Sequence, residues 1–172
     1  MTEPSEDVPA SPRSPSGVTA LIAAVLGLLL TLPLIYVPSE EFIAIPSGFT
    51  VSMLPAGVLA GLGLYAGAGL LVLIGALVTF FRGVAGAVLL LAGSAAAVVA
   101  VATEPVLGYP DGYRAYFDYL TAFRDLSATA RVADLGGAVV VFALAVLPGT
   151  FRYLRHRAPA AETYGRPRAY PR

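Results

Sequence analysis

Four long apolar stretches, at about residues 18–37, 54–81, 84–103 and 135–154, leave this chain few ways to fold. None of them contains Lys, Asp, Glu or His, and in the last the apolar run gives out at Phe151, just before Arg152. A bilayer core is about 30 Å thick and a helix rises about 1.5 Å per residue, so roughly 20 apolar residues cross it. Three stretches reach that length easily and the fourth lies at the short end of the range. Backbone groups in lipid must satisfy one another, and continuous rather than alternating apolar runs do so as helices. The expected fold is all-α: a polytopic integral membrane protein built as a four-transmembrane-helix bundle spanning residues 18–154. A composition that is 57% hydrophobic and 13% charged, with a mean hydropathy of +0.76, agrees with that class.

The flanking segments read differently. Residues 1–17 are rich in Pro and Ser, and residues 155–172 in Pro, Tyr and Arg; neither can offset its ordering entropy by burial, so both are expected to be disordered tails. Glu3, Glu6 and Asp7 make a poor basic leader, and no small-residue cleavage pattern follows Val37, so the first span is expected to stay uncleaved. Pro33 removes a backbone donor near the end of that span. A local kink is expected there, with Thr31 placed to hydrogen-bond a freed carbonyl.

Only Arg82 and Gly83 separate the second and third spans, which predicts a tight antiparallel hairpin. Small residues let helices approach closely in lipid, so Gly57, Gly61, Gly63, Gly67, Gly86 and Gly93 are assigned to helix packing. Packing within the hairpin is taken ahead of a self-association face, since glycine pairs alone are a weak signal. Two loops lie on the other side, at 38–53 and 104–134. In the longer one Tyr113, Tyr116, Phe117, Leu120 and Phe123 recur at helical spacing, predicting a short amphipathic outer helix. Its aromatic stripe is assigned to the membrane interface or to partner docking, with a lid over the bundle as the third possibility. Asp111, Asp118 and Asp125 share a seven-residue spacing on that segment and are read as ordinary charge pairing.

Arginine counting sets the orientation. Arg13, Arg82, Arg152, Arg155, Arg157, Arg166, Arg168 and Arg172 fall on one side, against Arg114, Arg124 and Arg131 on the other. Positive charge marks the cytoplasmic face, so both termini are expected there, in a cell (inner) membrane. Arg82, Arg152, Arg155 and Arg157 are the residues expected to hold this topology and to meet anionic lipid.

No site chemistry is visible at this stage. The chain has no Cys and one His, in the basic carboxyl-terminal cluster, and no phosphate-binding glycine loop, so no catalytic, cofactor-binding or metal-ligating residue is expected. Equal numbers of basic and acidic residues (11 each) give no field for nucleic acid. Spans without ionisable groups argue against a proton- or ion-coupled transporter acting alone. The expectation is a non-enzymatic accessory or scaffold subunit of a larger inner-membrane complex, with the bilayer and other membrane subunits or its own copies as partners. A small oligomeric transporter or lipid-handling protein is the alternative, favoured if a cavity opens between the spans.

Overall fold

The computed structural model describes residues 17–43, 53–108 and 112–155. Among these the secondary structure is helical, with no strand: α1 (Val18–Ile43), α2 (Ala56–Phe80), α3 (Val84–Gly108), α4 (Gly112–Ala122), α5 (Leu126–Val146) and α6 (Pro148–Arg155). Four of them, α1, α2, α3 and α5, are long and apolar enough to cross a membrane, which makes this a multi-pass membrane protein. The expected tails lie almost wholly outside the described residues, as do Asp111 and Arg157.

The four spans stand around a ring. α1 packs on α2 and α5, and α3 packs on the same two, leaving α1 and α3 on one diagonal. Leu34, Val72, Leu90 and Val141, one from each helix, are fully buried at the centre. The most extensive contact is the α2–α3 hairpin, and glycine is its cause. A side-chain carbon at Gly75 would lie 2.7 Å from the Leu90 amide nitrogen, and one at Gly93 would lie 2.8 Å from that of Val72. One at Gly86 would collide with the Thr79 backbone. Gly86 and Gly93 are thus packing residues, as the sequence suggested. Gly61, Gly63 and Gly67 take no part in this hairpin contact: a side-chain carbon there meets nothing within 4 Å among the described residues, and Gly57 touches only Leu107. The close approach belongs to the far half of α2, where Gly75 rather than the earlier glycine pairs does the spacing.

The hairpin turn is made by Arg82, whose φ of 62° is left-handed, while the Gly83 amide donates to the Val78 carbonyl at 2.8 Å. The Arg82 guanidinium lies over the Tyr153 ring of α6, 5.0 Å from its centroid. Leu154 of α6 closes this end of the bundle against Ala20 and Ala87. Thr31 donates to the Gly27 carbonyl at 3.0 Å. It therefore does not cap the Leu29 carbonyl that Pro33 leaves free.

Span limits differ from the expectation in one consequential way. The loop limits of 38–53 and 104–134 give way to helix: α1 runs on through Glu41, α3 through Glu104, and α5 begins at Leu126. The fourth span starts nine residues before position 135 and ends at Val146, with Leu147 breaking it from α6. Asp125 starts it, accepting a hydrogen bond from the Ala128 amide at 2.7 Å. Asp125 therefore shares no helix with Asp118, and the seven-residue acidic spacing has no structural meaning. The expectation of spans without ionisable groups is overturned, because Arg131 and Asp134 lie within α5 and are buried.

Gly93→Ala is expected to cost about 1–3 kcal/mol, the usual range for overpacking a tight contact. Gly63→Ala, facing open space, should stay within about 0.5 kcal/mol. Reversible unfolding in mild detergent measures both.

Candidate functional site

Where α1, α2, α3 and α5 converge at the Glu104 end they carry a polar cluster. Its centre is Arg131, only 4% exposed. Arg131 Nε donates to Glu104 Oε1 at 2.6 Å, and Nη2 lies 3.4 Å from Glu41 Oε1. Nη1 donates to the Ser127 hydroxyl one turn earlier on α5. Glu104 spends its second oxygen on two tyrosines: Tyr65 of α2 donates at 2.8 Å and Tyr116 of α4 at 3.0 Å. Each of five helices thus supplies at least one side chain to a single connected network. Charges taken out of water are tolerated only when paired and hydrogen-bonded, and here they are both.

Asp134 is the exception. It sits one turn further along α5, with no exposed surface, and neither carboxylate oxygen meets a donor among the described residues. An unsatisfied buried carboxyl is costly, and it sets Asp134 apart from the paired groups around it. No group of three or more His, Cys, Asp or Glu is arranged to hold a metal among the described residues.

Beside the cluster, a cleft of about 290 Å³ opens between α1, α2 and α3. Val37 and Gly61 form part of its walls, and Tyr65, Glu104 and Arg131 give it a polar side, with Glu41 also on the lining. Gly61, assigned from sequence to helix packing, instead leaves room in this cleft.

The outer helix divides its aromatic stripe in two. Tyr116 and Leu120 are buried against the bundle, whereas Tyr113 and Phe117 are about half exposed; Phe123, expected on the same stripe, is also half exposed but lies past the end of α4, where a left-handed φ of 46° turns the chain off the helix. The buried pair makes α4 a lid, held by the Tyr116–Glu104 bond; the exposed three remain available to lipid or protein. The lid is tied at its end too, where Tyr119 donates to Asp125 Oδ1 at 2.9 Å. Burial raises the Tyr119 hydroxyl above its usual pKa. The Ala128 amide, followed by Tyr119, holds the Asp125 carboxyl below the ordinary carboxylate range. The topology residues Arg82 and Arg152 are exposed at the opposite end, and α6 carries Arg155 there.

Sequence reading missed Glu41, Tyr65, Glu104, Arg131 and Asp134. One signal was available: Arg131 and Asp134 stand three residues apart, on one face of a helix that Asp125 is well suited to cap. Compared with protein-family models, curated proteins and solved structures, the chain matches none.

Tyr65→Phe and Tyr116→Phe each remove a hydrogen bond to a charged acceptor and should cost about 1.5–3 kcal/mol in detergent unfolding. Tyr113→Phe, whose hydroxyl donates to the Ala102 carbonyl from an exposed position at 3.2 Å, should cost less. The Asp125 cap has a definite pH sign. Because its folded pKa is depressed, its contribution is present above the ordinary carboxylate range and lost as pH falls through the lower folded value. The protection of the Ala128 amide, relative to its intrinsic exchange rate at each pH, should therefore fall in acid, and Asp125→Asn should abolish that acid step.

Proposed function

We propose that this is a non-enzymatic protein of the cell membrane that holds a small amphipathic molecule or lipid headgroup in the cleft between α1, α2 and α3. The observation that carries this reading is the cleft itself: an apolar-walled space open beside a buried, fully connected ionic network. Sites for small ligands have this character, mostly apolar with a few convergent polar groups. Ionisable groups inside membrane spans are costly, and they usually mark substrate or ion sites. Among the described residues no nucleophile–base pair stands at the cleft: Arg131, Glu104 and Tyr65 are engaged with one another. Binding, not bond-making, is what such an arrangement supports.

A second reading, an accessory or scaffold subunit of an inner-membrane assembly, draws on a different observation. The face of α2 bearing Gly63 and Gly67 is open, and only 22% of that span's most apolar window is buried within the chain. The two readings are compatible, since a neighbour on α2 would border the cleft.

For orientation, Arg82 and Arg152 share one end of the bundle with the start of α1 and with α6. Counted along the sequence, eight arginines belong to that side, against Arg114, Arg124 and Arg131 on the other, and Arg131 is paired within the bundle. Charge asymmetry of this kind supports cytoplasmic termini and a cluster facing outward.

The cysteine-free chain makes two tests simple. A cysteine replacing exposed Asp118 should react with a membrane-impermeant maleimide on intact cells, and one replacing Arg82 should not; the reverse pattern inverts the topology. Lipids and small amphiphiles retained on purified wild-type protein should be depleted by Gly61→Leu, which fills the cleft. Equal retention by both proteins would remove the cleft from consideration.

A further inference from the structure

The charge balance of the cleft says which chemical class it takes. Arg131 is the cluster's only guanidinium, and each of its three nitrogens is already engaged, with Glu104, Ser127 and Glu41. Three of its five N–H donors are used in this way, and an anionic headgroup arriving in the cleft would meet two carboxylates already drawn to the same guanidinium. Negative charge is in excess at the cleft, where Glu41 and Glu104 share the one cation among the lining residues. Glu41 is the exposed member of this set: its side chain is 52% accessible, and its 3.4 Å contact with Arg131 uses one oxygen at long range. Its second oxygen has no partner among the described residues.

Resting on the binding role proposed above, we propose that the cleft binds the primary ammonium group of an amphiphile, with Glu41 as its counter-ion at the polar end and the apolar walls receiving the adjoining methylenes. An ammonium answers that excess with a positive charge and three N–H donors; a quaternary ammonium presents no donor, and a phosphate adds acceptors. The walls fit the remainder of such a molecule. Val37, Val58, Leu62 and Leu107 line the cleft, and Gly61 leaves the α2 side open. From Gly57 to Tyr65 the α2 wall runs eight residues, about 12 Å at about 1.5 Å per residue, enough for a headgroup and several methylenes. A volume of about 290 Å³ stands at the small end of ligand sites, so a headgroup with the start of its chain fits and a whole phospholipid does not. Glu41 lies two residues before the end of α1 at Ile43, a depth natural for a lipid headgroup.

Two sources share this chemistry: an ethanolamine-headgroup phospholipid and a free long-chain amine. The test uses full-length protein in nanodiscs of glycerol-headgroup phospholipid. Dodecylamine, dodecyltrimethylammonium and dodecyl phosphate are titrated separately, and ethanolamine-headgroup phospholipid is added in a fourth arm. Native mass spectrometry reads bound adducts, and thermal unfolding reads stabilisation. Dodecylamine should bind better than the other two single-chain probes. Glu41→Gln should weaken that preference about fivefold, which corresponds to about 1 kcal/mol for a half-exposed ion pair. Gly61→Leu should abolish binding of dodecylamine. Retention of the ethanolamine lipid assigns the natural source to the membrane, and retention of dodecylamine alone assigns it to a free amphiphile; both support the proposal. Equal or tighter binding of dodecyl phosphate or dodecyltrimethylammonium, lost in Gly61→Leu, overturns the ammonium assignment and leaves the binding role standing. Probes that bind alike to wild type and Gly61→Leu, or not at all, overturn both.

Discussion

The Arg131–Glu104 ion pair is the interaction on which the outer half of this bundle depends. Placed in a span, a lone guanidinium would be strongly unfavourable; paired at 2.6 Å and almost sealed from solvent, it becomes the point through which α1, α2, α3, α4 and α5 are joined. Hydrophobic contrast contributes little to association between helices already in lipid, so specific contacts decide which helix faces which. At one end those contacts are polar. At the other they are steric, made by Gly75, Gly86 and Gly93.

The two ends are linked by geometry. Glycine brings α2 and α3 into backbone contact in one half of the hairpin, and in the other half the Tyr65 hydroxyl reaches across to Glu104 on α3. The same carboxylate oxygen receives Tyr116, so the position of the lid helix is set by a residue of the third span. The cleft is what remains beside this joint on the α1–α2–α3 side, where Gly57 and Gly61 withhold the side chains that would fill it. Glycine therefore has opposite effects along one helix: it closes the far half of α2 and opens the near half.

Much of this fold is legible in the sequence. The apolar lengths give four spans, and the two-residue break at Arg82–Gly83 gives the hairpin. The spacing of Tyr113, Tyr116 and Leu120 gives the outer helix. The site is another matter. Hydropathy assigns Glu104, Arg131 and Asp134 to a loop because each is polar in isolation, whereas paired across helices they are tolerated inside the bundle. A pairing between residues 27 positions apart leaves no local trace. The glycines mislead for a related reason. Four-residue spacing shows which residues are small, but not whether a neighbour approaches, and at Gly61 and Gly63 none does.

A double-mutant cycle on Glu104 and Arg131 tests the central claim most directly. Glu104→Leu or Arg131→Leu alone leaves the partner charge buried and uncompensated, at about 3–5 kcal/mol measured by reversible unfolding in detergent. The double Leu variant removes both charges, so it is predicted to lose no more than either single variant, giving a coupling of several kcal/mol. Losses that simply add would contradict the account, since they would mean that the two side chains act independently and that no ionic joint holds this end of the bundle.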